Sequence, residues 1–246
     1  MEPHKVVWVV GVPGAGKTTA LRKIALPSLF QLEDTEVRWT VTPPYALIGQ
    51  YRNAMLDGGD RVARHANLLS LEYWKRHILR DVRVQVTFLD GEMYLWRRVV
   101  ASLMDPNLEF IRPDEENYLP GGRYHRTYQQ IVSADTERFP HLPPAISSSL
   151  PPVRLGCIFL KISDEEALRR RQLREANAGE GDTINKSGHL KTVQSKQRNF
   201  ARRCREFANS AIFITDDVPM SYMDLNVEGM TPEQVAAEIT GFAGRV

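Results

Sequence analysis

Eight consecutive residues, Gly11-Val12-Pro13-Gly14-Ala15-Gly16-Lys17-Thr18, constrain this chain more than any other feature. They stand between Lys5–Val10, a β-branched and aromatic run that reads as a short buried strand, and Lys17–Leu26, where Ala20, Leu21, Ile24 and Ala25 recur at helical spacing. Pro27 stops that helix. Strand, loop and helix therefore follow one another without a linker. The glycines permit the backbone to curl so that successive N–H groups point into one concavity, and the helix start adds the positive end of its dipole. Such a cup binds phosphate. The spacing G-x-x-x-x-G-K-[ST] then predicts that Lys17 reaches the β- and γ-phosphates of ATP and that the Thr18 hydroxyl ligates Mg²⁺. Pro13, Ala15 and Thr19 complete the predicted nucleotide cradle with Gly11, Gly14 and Gly16.

Downstream, strand and helix patterns alternate. Glu36–Thr42 sets Val37, Trp39 and Val41 against Arg38, Thr40 and Thr42, the alternation of a second strand, and Pro43-Pro44 ends it. Residues 45–67 are less regular and contain a turn signal, Asp57-Gly58-Gly59-Asp60. Leu68–Leu79 reads as a helix, Arg83–Asp90 as a third strand, and Glu92–Met104 as a helix with Met93, Trp96, Val100 and Leu103 on one side. Residues 105–152 change character, being rich in proline around Gly121-Gly122-Arg123-Tyr124-His125-Arg126-Thr127-Tyr128, and are expected to be an irregular, functional insertion. Leu155–Ile162 resumes as a strand. Ser163-Asp164-Glu165-Glu166 is a capping box that opens a helix through Arg174. A polar loop at Gly179–Gly188, a helix to about Ala208, a fifth strand at Ala211–Thr215 and a final helix capped by Thr231-Pro232-Glu233-Gln234 complete the chain. This order predicts one α/β domain, a doubly wound, mostly parallel five-stranded sheet flanked by helices, with the insertion at 105–152 and a lid at about 169–198.

Further candidates for the chemistry follow from position. Asp90 closes the third strand, where a carboxylate is needed for Mg²⁺ or its waters, and Glu92 lies two residues on. Arg169, Arg170, Arg171 and Arg174 share one helix. Arg170 with Arg174, and Arg171 with Arg174, have the spacing to converge on one phosphate, whereas Arg169 is the natural solvent-facing member. Arg171 and Arg174 are the candidates for neutralising charge during transfer, Arg170 for gripping the nucleotide, and the loop beyond, with Lys186 and Lys191, for closing on it.

The longest apolar runs fall far short of the roughly 20 residues that cross a bilayer, and no secretory leader pattern precedes Val6, so an intracellular, cytoplasmic enzyme with no membrane partner is expected. Cys157 and Cys204 stand singly in apolar patterns and predict neither a disulfide framework nor a zinc site. A formal net charge of +2 is uninformative, but Arg154–Arg205 holds thirteen Lys/Arg against six Asp/Glu, an excess suited either to a polyanion or to a solvated helix face.

The loop, the Asp90-Gly91-Glu92 strand end and the arginine-rich helix resemble the nucleotide- and polynucleotide-kinase branch of P-loop proteins. Three shorter stretches, Ile48-Gly49-Gln50-Tyr51-Arg52, Leu56-Asp57-Gly58-Gly59-Asp60-Arg61 and Leu71-Glu72-Tyr73-Trp74, resemble bacteriophage kinases that phosphorylate 5-hydroxymethyluracil within DNA. That resemblance implies transfer of the γ-phosphate to a base hydroxyl, with double-stranded DNA as partner and the host cytoplasm as compartment. A hydroxyl acceptor needs a carboxylate to orient or accept its proton. Polynucleotide kinases place that Asp just after the second strand, where this chain has Pro43-Pro44-Tyr45. Asp57 and Asp60 are then the nearest candidates, Asp60 preferred as general base, with Arg52 or Arg61 for an acceptor phosphate. Arg123, Tyr124, His125, Arg126 and Tyr128 would supply charge and stacking for DNA. Two alternatives share these features: a nucleoside monophosphate kinase acting on free nucleotides, and a nucleotide-dependent switch or ATPase.

Overall fold

The computed structural model describes residues 2–12, 14–25, 29–31, 38–49, 59–90, 93–105, 107–133, 151–176 and 220–246, together with 199 and 202. Strand β1 (His4–Gly11) runs into helix α1 (Lys17–Ile24), as its sequence predicts. Strands β2 (Leu29–Gln31), β3 (Arg38–Thr42) and β4 (Tyr45–Ile48) follow, then helix α2 (Gly59–Arg76), β5 (Val86–Asp90) and α3 (Met93–Met104). Next come a short 3-10 turn (Glu116–Tyr118), α4 (His125–Ser133), β6 (Val153–Lys161), α5 (Asp164–Ala176), β7 (Met220–Asn226) and α6 (Pro232–Arg245). The seven strands form one sheet in the order β2-β3-β4-β5-β1-β6-β7. The five from β4 to β7 are parallel, and β3 and β2 extend one edge antiparallel.

β1 is central, and its alternation builds two cores. Val6, Trp8 and Val10 face α2, α3 and α4, and Trp8 stacks on Trp96 of α3 with ring centroids 5.3 Å apart. Val7 and Val9 face the other way, onto Leu21 of α1 and Val235, Ile239 and Phe242 of α6. A strand buried on both faces must be apolar at successive positions, which is why Val6–Val10 shows no polar residue. The packing is close. A β-carbon on Gly156 of β6 would come within 2.8 Å of Val246 and 2.9 Å of Phe242. At the lower end of the sheet, opposite the C-terminal strand ends, the buried Thr87 hydroxyl accepts from Trp74 Nε1 at 3.1 Å and lies 2.8 Å from His4 Nε2. His4 Nδ1 lies 3.1 Å from the Val84 carbonyl, and burial holds the imidazole pKa down to about 4, so it is neutral in the fold.

Several expectations change. Arg38–Thr42 is a strand that Pro43 and Pro44 end, as expected, but the two prolines form the turn of a hairpin, with Thr42 opposite Tyr45. The parallel neighbour of β5 is therefore Tyr45–Ile48, inside a stretch that reads as irregular. α2 begins nine residues before Leu68, so Gly59 and Asp60 form its first turn. The fifth parallel strand in the described residues is Met220–Asn226; Ala211–Thr215 lies outside them. The loop at 179–188 also lies outside, as does the following helix except for Asn199 and Arg202, both helical.

The insertion is the largest correction. Residues 107–133 are ordered on α2 by side chains from both partners. Lys75 donates to the Leu108 carbonyl at 2.6 Å, Glu72 accepts from Phe110 N–H, His65 Nδ1 lies 2.8 Å from the Tyr118 hydroxyl, and His77 Nε2 lies 2.7 Å from the Ile131 carbonyl. His65 near the start of α2 meets Tyr124 before α4, and His77 beyond its end meets the last turn of α4, so the two helices run parallel. Tyr124, Thr127, Tyr128 and Ile131 are all buried, the i, i+3, i+4, i+7 face of an amphipathic helix. No helix of the described residues is long and apolar enough to cross a membrane.

Candidate functional site

The parallel strands all point their C-terminal ends to one side, and the crevice outside those ends is where an open α/β sheet binds ligands. Here β1 delivers the phosphate loop into it. The Ala15 N–H closes a turn on the Val12 carbonyl at 3.0 Å, and Gly14 and Gly16 take φ of 99° and 86°, values that L side chains rarely adopt. Gly16 is the N-cap of α1 and has no side chain to fill the concavity. Lys17 folds over the loop, with Nζ donating to the Gly11 carbonyl at 2.8 Å and to Val12 at 3.2 Å. Its ammonium thus caps the cradle that its backbone begins. Thr19 is exposed on the first turn of α1, and Pro13 lies outside the described residues.

β5 supplies the second part. Its register with β1 pairs Val9 with Asp90, which brings the last residue of the strand beside the loop. Thr18 Oγ1 donates to Asp90 Oδ2 at 2.5 Å. The Asp90 carboxyl is buried, and desolvation pushes its pKa above the ordinary carboxylate range; Lys17, the Thr18 hydroxyl and Arg22 oppose that rise. Among the described residues no group of three or more His, Cys, Asp or Glu could enclose a metal. One hydroxyl and one carboxylate beside a phosphate cradle nonetheless fit Mg²⁺, which takes few protein ligands and completes its octahedron with phosphate oxygens and water. The donor set therefore suits Mg²⁺-ATP: loop N–H groups and Lys17 for phosphates, Thr18 and Asp90 for the metal.

β6 and α5 close the third side. The first turn of α5 sits on the loop so tightly that a β-carbon on Gly14 would stand 2.7 Å from the Ala167 carbonyl. One turn on, Arg170 Nη1 lies 3.7 Å from where a Gly16 β-carbon would stand. Arg170 is the predicted nucleotide-gripping arginine, and it is over the loop. Arg169 is more exposed, at 60% of its side chain against 28% for Arg170, as expected for the solvent-facing member. The capping box is half formed. Glu166 N–H approaches the Ser163 hydroxyl at 3.4 Å, but the Glu166 carboxylate binds Arg169 and Arg170, while Ser163 N–H and hydroxyl turn to Glu228.

The acceptor-side candidates are less completely placed. Arg52, Asp57 and Glu92 lie outside the described residues, as do the side chains of Asp60, Arg61, Arg171 and Arg174, whose backbones are helical. Asp60 lies in the first turn of α2, whose last turns send Trp74 Nε1 to Thr87 at the lower end of the sheet, so Asp60 stands toward the phosphate-loop end. The parallel course of α4 brings Arg123 and Arg126 to that same end, both exposed. Tyr124 is a correction. It is 3% exposed, stacked on His65 at 4.9 Å and covered by the Arg123 guanidinium at 5.7 Å, so it is a core residue and offers no free face for a base. Leu71, Glu72, Tyr73 and Trp74, one of the three resembling stretches, are likewise buried in α2.

No protein-family model matches the chain, and no curated protein matches it significantly. Among solved structures it is similar to a thymidylate kinase from Candida albicans, at 14% identity and a TM-score of 0.36, over 99% of this chain and 92% of that one. It is also similar to a tRNA delta(2)-isopentenylpyrophosphate transferase from Staphylococcus epidermidis, at 12% identity and a TM-score of 0.37, over 99% of both chains. Likenesses this loose add nothing to the reading of the site, which stands on its own residues.

Proposed function

We propose that this chain is an ATP-dependent, Mg²⁺-requiring phosphotransferase that moves the γ-phosphate to a hydroxyl, the 5-hydroxymethyl group of 5-hydroxymethyluracil in double-stranded DNA. The observation that carries phosphotransfer is the 2.5 Å bond between Thr18 and Asp90 at the mouth of the glycine loop. It brings the two candidate Mg²⁺ ligands together beside the phosphate cradle, one from the start of α1 and one from the end of β5. Mg²⁺, when bound there, would neutralise charge on the β- and γ-oxygens. The residues do the rest: loop N–H groups fix the phosphates, Lys17 bridges them, Arg170 covers the outer side, and Asp60 orients the acceptor hydroxyl. A site assembled from several positive groups suits a kinase, which must keep water from the phosphoryl group, better than a switch or ATPase.

The DNA acceptor draws its support from the resembling stretches around Arg52 and Asp60, and from Arg123 and Arg126 at the same end of the molecule. One observation favours a smaller acceptor, a free deoxynucleoside monophosphate. Residues 107–133 carry three arginines against four carboxylates, a poor balance for a surface that must hold a polyanion.

The test is transfer of labelled γ-phosphate from Mg²⁺-ATP to 5-hydroxymethyluracil duplex, unmodified duplex, DNA 5′-hydroxyl ends and free deoxynucleoside monophosphates. The expected result is label on the modified duplex alone, with rates that fall steeply as salt rises. Label on free nucleotides would replace the acceptor while keeping the reaction, and label released only as inorganic phosphate would overturn the phosphotransferase reading.

A further inference from the structure

Glu166 is the one carboxylate among the described residues of the loop's α5 side that engages two of the arginines there. Its Oε1 takes Arg170 Nε at 2.7 Å and Arg169 Nη2 at 2.7 Å, and its Oε2 takes Arg169 Nε at 2.6 Å. It sits at the start of α5, one residue before Ala167, whose carbonyl presses on Gly14. The carboxylate is therefore anchored by the backbone to the phosphate loop itself. Arg170 uses the Nε side of its guanidinium on Glu166 while Nη1 lies toward Gly16. The planar fork of arginine allows both engagements at once, one side on a carboxylate and the other on a phosphate. Hydrogen bonds from Arg169 and then Arg170 hold the Glu166 pKa down to about 2, so the acceptor stays ionised at any working pH.

We infer that Glu166 is a positioning residue for the triphosphate: it holds Arg170 by Nε so that the Nη end is presented over Gly16 to the incoming phosphates. The inference rests on the phosphate-loop reading above. Two effects oppose each other here. A carboxylate near a triphosphate repels it, but that repulsion acts across solvent and is partly cancelled by Arg169. An unheld arginine side chain, by contrast, must surrender its rotamer freedom each time the nucleotide binds. Positioning wins in this geometry because Glu166 takes Nε while Nη1 lies on the Gly16 side, so the carboxylate and an incoming phosphate use different parts of the guanidinium.

The experiment is a double-mutant cycle on Mg²⁺-ATP affinity, measured by calorimetry on the full chain. Glu166→Ala and Arg170→Ala should each weaken binding by on the order of tenfold, the size of a lost charge-assisted contact. The double variant should be no weaker than Arg170→Ala alone. Glu166→Gln, which keeps an oxygen for Arg170 Nε, should recover most of the affinity. Glu165→Ala, an exposed neighbour in the same helix turn, controls for charge at the helix start and should bind like wild type. A purely structural role for Glu166 would lower the melting temperature without producing this non-additivity. Tighter binding by Glu166→Ala, or effects that simply add, would overturn the inference. Failure of the wild-type chain to bind Mg²⁺-ATP would instead remove the phosphate-loop reading itself.

Discussion

Lys17→Ala is expected to lower phosphoryl transfer by on the order of 10²–10³-fold, the cost of removing one preorganised donor from a developing charge. The fold should survive. Lys17 opens α1, where alanine is the better helix former, and Nζ donates to the Gly11 and Val12 carbonyls, groups that water can satisfy. Thermal melting and circular dichroism should therefore match wild type closely while transfer collapses. Loss should fall on both the affinity for ATP and kcat, since the ammonium meets the phosphates before and during transfer. A variant that keeps substantial transfer would remove Lys17 from the site and, with it, the reading of Gly11–Thr18.

The second large effect separates stability from activity. Asp90→Asn should abolish Mg²⁺-dependent transfer yet raise the melting temperature of the nucleotide-free protein at neutral pH. Burial raises the Asp90 pKa above its unfolded value, with Lys17, Thr18 and Arg22 opposing. A carboxyl shifted upward contributes stability that is fully present below the ordinary carboxylate range and is lost as pH rises through its raised pKa. Above that raised pKa the ionised form is therefore a destabilising element that the site keeps for its metal. Asparagine removes the charge and retains an oxygen for the Thr18 hydroxyl. The melting-temperature gap between variant and wild type should be absent in acid and open as pH rises across that window. Saturating Mg²⁺-ATP should close it again by binding only the wild type. An Asp90→Asn protein less stable than wild type at neutral pH would contradict this account of why the carboxylate is buried.

The parts of the site that the sequence makes legible are those written as contiguous residues. The glycine loop, its strand and its helix are read together because one ligand, a phosphate, dictates all three. Asp90 is legible because it closes an apolar strand where a metal beside ATP needs a carboxylate, with Glu92 two residues on. What escapes is longer in range. Tyr45–Ile48 is four residues long and follows two prolines, so its pairings with Thr40–Thr42 and Val86–Leu89 are what identify it as a strand. Met220–Asn226 is an edge strand, half-buried and polar enough to hide its alternation. Tyr124 belongs to an i, i+3, i+4, i+7 pattern with Thr127, Tyr128 and Ile131, but the neighbouring arginines and glycines make the stretch look like a surface loop. Glu166 reads in the sequence as the N3 member of a capping box. Its second use follows from its i+3 and i+4 spacing to Arg169 and Arg170, a signal that carries meaning only once the helix is known to lie on the loop.

The central claim is that Gly11–Thr18, completed by Asp90, is a Mg²⁺-nucleoside triphosphate site. It is tested most directly by calorimetric titration of ATP into the full chain, with Mg²⁺ present and with Mg²⁺ chelated. The account predicts saturable binding of one nucleotide per chain, weakened by chelation and lost in Lys17→Ala. Absence of binding to the wild-type chain, or binding indifferent to both Mg²⁺ and Lys17, would contradict it.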